Sequence, residues 1–236
     1  MRVLISIAFL TVFCISCKTS YEVLNKGIAG NNSKELLARV NNDVVKEQPD
    51  LVVIMVGTND MINSKKFLTF EEYSSNLKQI TTKIKSALPH TKIVLTSILP
   101  VDEDYVFKRH ERGVFKFFPN YKIDSLNVLI KDFSRKEDLY FIDVNSCFKG
   151  MNFKDKNSLL INGVNFNVDD GVHPTTKGYQ IIGDFIALEL RKQGLVKRKM
   201  KIVCFGDSIT FGAFMEGKGT ATGNTYPAVL LKALKN

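Results

Sequence analysis

The sequence holds 236 residues, 44% of them hydrophobic, which is enough to bury the core of one large domain. The formal net charge is +9, but neither an arginine-rich arm nor a basic motif interleaved with aromatic residues accompanies it. We therefore expect no nucleic-acid partner. A basic surface of this kind is compatible with an anionic membrane, with an acidic polymer or with plain exposure to solvent.

The first seventeen residues are typical of an export signal. Arg2 gives a positive start, residues 3–15 form an apolar run too short to span a bilayer, and Ser16 precedes Cys17. The end of this segment resembles a bacterial lipobox, which would make Cys17 a lipidated residue that tethers the protein to a membrane. The sequence thus predicts a signal peptide at residues 1–17 and an exported protein, either in the bacterial periplasm, anchored as an outer-membrane lipoprotein, or secreted. An ordinary cleaved signal and a buried N-terminal element are the alternatives.

The rest of the chain alternates between short apolar runs and amphipathic stretches. The predicted strands cover residues 21–24, 51–56, 92–98, 139–144 and 201–205. The predicted helices cover about residues 32–47, 69–88, 121–135, 175–192 and 226–234. Continuous apolar strands that alternate with helices favour a parallel sheet with helices on both faces.

Three of these strands end in polar turns, which contain Gly30, Asn59 and Ser208. The carboxyl ends of parallel strands form the edge at which open α/β sheets bind ligands. Ser208 is therefore a candidate nucleophile, and the side-chain amide of Asn59 is a suitable donor to an oxyanion beside it. Each turn taken alone is equally compatible with ordinary turn chemistry, with Asn59 as a cap and the glycines as a plain strand-to-helix turn.

Residues 100–120 form the least regular segment and combine five aromatic residues with a charged run. Because the segment follows the carboxyl end of a strand, we expect it to overhang the site. It is either a flap or acyl-binding lip, or an ordinary long loop with its own apolar cluster. We do not choose His110 in this segment, or His90 in a turn at the opposite end of the sheet, as a catalytic base.

No pattern for a metal or cofactor is present. Cys147 and Cys204 are the cysteines outside the predicted signal, and they form neither a disulfide framework nor a zinc spacing. The glycine-rich stretch at residues 212–224 lacks the phosphate-binding and dinucleotide fingerprints. We expect no cofactor and no metal.

Four segments resemble the signature blocks of the SGNH (GDSL-type) hydrolase family. They are Gly-Asp-Ser-Ile-Thr at 206–210, Asn-Lys-Gly-Ile-Ala-Gly at 25–30, Gly-Thr-Asn-Asp at 57–60 and Asp-Gly-Val-His-Pro-Thr at 170–175. The resemblance implies a single domain over residues 18–236, with a three-layer α/β/α flavodoxin-like fold and a five-stranded parallel sheet. The serine block comes last here and first in the family, so we expect a circularly permuted form of that fold.

The resemblance also implies roles for individual residues. Ser208 would be the nucleophile, His173 the general base and Asp170 the acid that orients it. The oxyanion hole would consist of the N–H groups of Ser208 and Gly30 and the side chain of Asn59. The implied function is hydrolysis of small-molecule or glycan esters through an acyl-enzyme, with short-chain or carbohydrate O-acetyl esters as substrates. The alternatives are a lysophospholipase or thioesterase acting on lipid acyl groups, and a catalytically silent binding lipoprotein.

Overall fold

A five-stranded parallel sheet is the centre of the computed structural model, which describes residues 21–236. The strands are β1 (Tyr21–Gly27), β2 (Leu51–Met55), β3 (Lys92–Thr96), β4 (Tyr140–Ile142) and β5 (Met200–Gly206). Their order across the sheet is β1-β5-β2-β3-β4, and every pair is parallel. The last strand in sequence therefore lies inside the sheet, between β1 and β2. The predicted signal peptide and Cys17 lie outside the described residues.

Helices cover both faces of the sheet, as the apolar pattern predicts. The helices are α1 (Ser33–Val40), α2 (Thr58–Ile62), α3 (Phe70–Ala87), α4 (Glu103–Arg109), α5 (Pro119–Lys136), α6 (Thr176–Lys192), α7 (Ser208–Phe211) and α8 (Tyr226–Lys235). The apolar sides of α6 and α8 pack on one face, and those of α1, α3 and α5 pack on the other. Among these helices, none has the length and hydropathy needed to cross a membrane.

Alternate side chains of the central strands enter two separate cores. Cys204 faces the α6 and α8 side, whereas Val203 and Phe205 face the opposite side, and all three are fully buried. A parallel sheet buried on both faces needs apolar residues at consecutive positions, which explains the unbroken hydrophobic runs. The thiol of Cys204 acts as a small core group, and Cys147 is half-buried and free.

Residues 100–120 are more regular than the sequence predicts. They contain the helix α4 and a 3-10 turn at Arg112–Val114. The carboxylate of Asp102 caps α4 by accepting the N–H of Asp104 at 3.0 Å. The helix has seven residues and buries only Val106, so its apolar pattern is too short to identify from sequence.

Candidate active site

Two glycines bring the turn that contains Ser208 against the ends of the strands. Gly27 of β1 lies opposite Gly206 of β5 in the parallel register. A Cβ on Gly27 would lie 2.1 Å from the backbone nitrogen of Phe211, and one on Gly206 would lie 2.2 Å from Oγ1 of Thr210, and both of these neighbours belong to α7. Side chains at either position would push α7 away from the sheet. Ser208 begins this helix and is 9% exposed.

Ser208, His173 and Asp170 form a continuous chain of hydrogen bonds. The Nε2 atom of His173 lies 2.9 Å from the Oγ atom of Ser208. The Nδ1 atom of the same ring lies 3.0 Å from each carboxylate oxygen of Asp170. The hydroxyl, imidazole and carboxylate predicted from the sequence are therefore brought together. The serine comes from the turn after β5, and the other two groups come from the loop before α6.

Hydrogen bonds to its backbone groups hold the loop that contains His173. The Oδ1 atom of Asp170 accepts the N–H groups of Val172 at 2.9 Å and of His173 at 2.6 Å. The N–H of Ile161 donates to the carbonyl of His173, and the carbonyl of Ile161 accepts the N–H of Gly171, both at 2.8 Å. The sequence indicates only a polar loop before Asp170 and misses this contact, because one short bridge has no periodic pattern.

The carboxylate of Asp170 is ionised in this environment. Its side chain is 1% exposed, and this burial acts to raise its pKa. The hydrogen bonds from His173 and the charge of that ring outweigh burial, and they lower the pKa of Asp170 to about 2. Arg109 of α4 adds a hydrogen bond from Nη2 to Oδ2 of Asp170 at 3.2 Å. Arg109 belongs to the charged run noted in the sequence, but nothing in the sequence indicates its contact with Asp170.

The turn after β1 presents Gly30 in the left-handed region, with a φ of +79°. Its carbonyl accepts a hydrogen bond of 2.7 Å from Nζ of Lys66. Nδ2 of Asn59 donates to the carbonyl of the next residue, Asn31, at 2.9 Å. Across residues 21–236, the N–H groups of Gly30 and Ser208 donate to no protein acceptor. Three N–H groups are therefore available at this sheet edge to bind a substrate oxygen: those of Gly30 and Ser208 and the second N–H of the Asn59 amide.

Arg39 connects this turn to the strand that leads to Ser208. Its Nε donates to Oδ1 of Asn31 at 2.7 Å, its Nη1 to the carbonyl of Lys26 at 2.9 Å and its Nη2 to the carbonyl of Gly206 at 2.7 Å. The guanidinium carbon lies 4.5 Å from the centre of the Phe205 ring. The sequence analysis does not identify Arg39, because an arginine within a helix is usually a solvated residue.

Two buried carboxyls lie next to the site. Burial raises the pKa of Asp207 to about 7, against the opposing effects of the Ile209 N–H and of His173. Its Oδ2 atom is buried and has no hydrogen-bond partner in the described part of the chain. Burial also raises the pKa of Asp60 to about 6. Asp60 accepts the hydroxyl of Ser33 at 2.5 Å, so it links the turn after β2 to the start of α1.

The remaining histidines lie apart from this chain of groups. His110 has its Nδ1 atom 2.9 Å from Oγ of Ser64, and burial together with the charge of Arg109 lowers its pKa. His90 is exposed in the turn before β3. Between residues 21 and 236, no group of three His, Cys, Asp or Glu side chains is placed to hold a metal ion.

The arrangement has the parts needed for acyl transfer: a serine with a hydrogen-bonded base, a carboxylate that orients the base, and N–H groups at the same sheet edge that have no acceptor in the described part of the chain. Comparison with known proteins leads to the same class. Residues 15–181, more than half of the chain, match the profile of the GDSL-like Lipase/Acylhydrolase family. The chain is 24% identical over 160 residues to an acetylxylan esterase of Geobacillus stearothermophilus, a match that covers 68% of each protein.

Solved structures are similar over the same extent. A GDSL-like lipase of Bacteroides thetaiotaomicron has 27% identity and a TM-score of 0.54, with 71% of this chain and 75% of that one covered. A lipase/acylhydrolase of Enterococcus faecalis has 25% identity and a TM-score of 0.55, with 72% of this chain and 74% of that one covered. The chain therefore belongs to the GDSL-like lipase/acylhydrolase family and is an ester hydrolase.

Proposed function

We propose that this ester hydrolase uses Ser208, His173 and Asp170 as its catalytic triad. Oγ of Ser208 attacks the ester carbonyl carbon while Nε2 of His173 takes the hydroxyl proton. The tetrahedral intermediate then expels the alcohol, which leaves with that proton, and an acyl-serine remains. A water molecule then gives a proton to Nε2 of His173 and attacks the acyl carbon. The second tetrahedral intermediate releases the acid, and the proton returns to Oγ of Ser208. The observation that carries this proposal is the unbroken hydrogen-bond chain from Oγ through the ring to the carboxylate.

The oxyanion of both intermediates would be bound by the N–H groups of Ser208 and Gly30 and by Nδ2 of Asn59. These residues follow β5, β1 and β2, which are neighbours in the sheet, so their donors share one edge. Asp170 holds the N–H at Nδ1 of His173 and stabilises the imidazolium that forms. It stays ionised throughout because its pKa lies at about 2.

The substrates we propose are short-chain esters, and in particular O-acetyl groups on carbohydrate. Support comes from the similarity to a protein named acetylxylan esterase. A second candidate is a lipid acyl ester, because residues 107–118, which include Arg109 at the end of α4, line an open cleft of about 370 Å³ with four phenylalanines. A series of p-nitrophenyl esters from acetate to decanoate, measured beside acetylated xylan oligomers, separates the two. Preference for acetate and for the oligomers supports the first, and rising kcat/KM with chain length supports the second.

Turnover itself tests the triad. With p-nitrophenyl acetate, the wild-type protein should release a burst of nitrophenol equal to the enzyme concentration if deacylation is slower than acylation. Ser208→Ala should remove both the burst and the steady rate. A Ser208→Ala protein that keeps its fold and hydrolyses the ester as fast as the wild type would reject Ser208 as nucleophile. A folded wild-type protein that neither hydrolyses the ester nor reacts with a fluorophosphonate would instead favour a binding protein without activity.

We also propose that the chain is a circular permutant. Counting strands from β5 gives the order 2-1-3-4-5, which is the flavodoxin-like order. In that numbering α8 becomes the crossover helix between β5 and β1, and it packs beside α6 on the sheet. A rearranged protein with residues 200–236 placed before 21–199 should fold and hydrolyse the same esters. A rearranged protein that fails to fold while the original folds would contradict the proposal.

For residues 1–17 we propose export, with Cys17 as a lipid attachment site. The positive start, the short apolar run and the cysteine motivate the proposal. Expression of the full chain in a Gram-negative host should place it in the envelope fraction and incorporate labelled palmitate. Cys17→Ser should abolish the label. Retention of the unprocessed wild-type chain in the cytosol would reject export.

A further inference from the structure

Phe214 has a conformation that packing does not explain. Its φ is +68°, and the other non-glycine residues with positive φ in the described chain are all polar. A bulky residue in the left-handed region costs about 1–3 kcal/mol, and such strain is concentrated at functional sites. Burial does not offset that cost, because the side chain is 44% exposed. The ring lies instead beside the active site, with its centroid 5.3 Å from that of the His173 ring.

A second exposed aromatic residue meets Phe214 from another segment. The ring of Phe166 lies 6.1 Å from that of Phe214 at an interplanar angle of 76°, and Phe166 is 39% exposed. The loop before it is rigid, because Oδ1 of Asn162 accepts the N–H groups of Val164 and Asn165 at 2.8 and 2.9 Å. Two segments thus place one half-exposed ring beside the histidine and a second ring beside the first. We call Phe214 and Phe166 the aromatic pair.

The position of the aromatic pair decides which part of an ester it meets, and this step rests on the proposed function. Nε2 of His173 delivers its proton to the leaving oxygen, so the group bonded to that oxygen lies on the histidine side. The carbonyl oxygen points the other way, to the donors at Gly30 and Asn59. The aromatic pair therefore faces the alcohol portion of the substrate and not its acyl group.

The chemistry around the aromatic pair favours a sugar as that alcohol. The negative face of an aromatic ring attracts the polarised C–H groups of a pyranose. The segment that contains Phe166 also carries the exposed polar side chains of Asn167 and Asp169, which can bond hydroxyl groups. Asp169 also pairs with Nζ of Lys108 at 3.0 Å, so this part of the surface is polar and charged and suits a hydroxylated alcohol better than a hydrocarbon chain. We propose that Phe214 and Phe166 bind the sugar ring that carries the ester.

The test compares two acetyl esters with the same acyl group. Phe214→Ala should lower kcat/KM for acetylated xylotriose by about tenfold, mainly through a higher KM, and should change it less than about twofold for methyl acetate, whose alcohol is too small to reach the rings. Phe214→Gly removes the ring and relieves the positive φ, so it should be at least as stable as the wild type. It should lower kcat/KM for acetylated xylotriose and leave that for methyl acetate nearly unchanged, as Phe214→Ala does. Phe214→Tyr should restore the wild-type ratio. Tyr121→Ala, an aromatic residue that is 61% exposed on α5, is the matched control and should change neither ester.

Each of the following four outcomes would overturn the proposal that the aromatic pair binds a sugar. Equal losses on both esters in Phe214→Ala and Phe214→Gly would show that the ring only supports His173. An unchanged rate on acetylated xylotriose would show that no sugar contacts the ring. A wild-type protein that hydrolyses methyl acetate but not the sugar ester would leave the hydrolase in place and reject the sugar. A wild-type protein that hydrolyses neither ester, and whose Ser208 does not react with a fluorophosphonate, would reject the proposed triad as well.

Discussion

Arg39 donates a hydrogen bond of 2.7 Å to the carbonyl of Gly206, two residues before Ser208. The same guanidinium donates to the side chain of Asn31, next to Gly30, at 2.7 Å. Arg39 thus joins the strand that positions the proposed nucleophile to the turn that carries a proposed oxyanion donor. These two segments stand near opposite ends of the chain, and the parallel pairing of β1 with β5 brings them side by side. Arg39 adds a side-chain link where that pairing ends.

Arg39→Met should therefore lower kcat more than it changes KM. Methionine keeps an apolar stem over Phe205 but donates no hydrogen bond, and a misplacement of about 1 Å in a catalytic group can cost about 10²-fold in rate. We expect a loss of about 10- to 100-fold in kcat for p-nitrophenyl acetate. The control is Arg135→Met, since Arg135 is 72% exposed and pairs with the exposed Asp132. Equal kcat values for Arg39→Met and the wild type would contradict the positioning role.

Asn59→Ala should reduce turnover far more than stability. Loss of one oxyanion donor lowers kcat by about 10²–10³-fold. The variant also loses the hydrogen bond to the Asn31 carbonyl, which contributes about 1 kcal/mol to the free energy of unfolding. Urea unfolding and p-nitrophenyl acetate kinetics measure the two effects. Asn63→Ala, which removes the donor to Oδ1 of Asn59 and the acceptor of the Lys65 N–H, should lose much less activity, and near-normal turnover in Asn59→Ala would count against its assignment.

The pKa of Asp207, raised by burial to about 7, predicts a pH-dependent stability. In the unfolded chain an aspartate releases its proton near pH 4. Between about pH 4 and pH 7 the folded protein holds a proton that the unfolded chain has lost, so this group makes the free energy of unfolding fall as pH rises through that range. Asp207→Asn stays neutral at every pH and removes this slope.

Thermal denaturation at pH 5 and pH 8 measures the difference. The wild-type protein should lose more stability between these values than Asp207→Asn does, while Asp60, with its pKa of about 6, is present in both and contributes a slope of the same sign to each. Asp132→Asn, an exposed carboxylate, serves as the control and should behave as the wild type. An identical pH dependence in Asp207→Asn and the wild type would show that the carboxyl is charged in the folded protein at neutral pH.

Gly27→Ala should destabilise the protein, because its Cβ would lie 2.1 Å from the backbone nitrogen of Phe211. Relief requires α7 to move, and forced overpacking typically costs about 1–3 kcal/mol. Urea unfolding should show that loss, and the labelling rate of Ser208 should fall with it. Gly113→Ala is the matched control, since no atom lies within 4 Å of its added Cβ. Equal stability of the two variants would show that α7 does not pack tightly on β1.

The sequence predicts the sheet and the residues of the proposed triad because both depend on local patterns. Apolar runs predict the strands, and the turns that contain Ser208, His173 and Asp170 follow recognisable blocks. The structure places these three side chains within hydrogen-bonding distance of one another. The helix α4 was not predicted, because seven residues with one buried side chain carry too little periodic signal.

The contacts of Arg39, Arg109 and Phe214 could not be predicted in the same way. Each depends on where a side chain ends after distant segments have packed, and residue type alone does not determine that. Arg39 looks like a solvated helix residue until its three backbone and amide acceptors are in place. Phe214 lies in a glycine-rich stretch whose conformation gives the ring its place next to His173. These three residues surround the proposed triad, whose own residues can be found from the sequence.

The proposed triad is tested most directly by active-site labelling. A fluorophosphonate should add one adduct per chain to the wild-type protein, and peptide mapping should place it on Ser208. His173→Ala should react far more slowly, and Ser208→Ala should take up no label and hydrolyse no ester while it unfolds at the same urea concentration. An adduct on another residue, or ester hydrolysis by Ser208→Ala at the wild-type rate, would contradict the account.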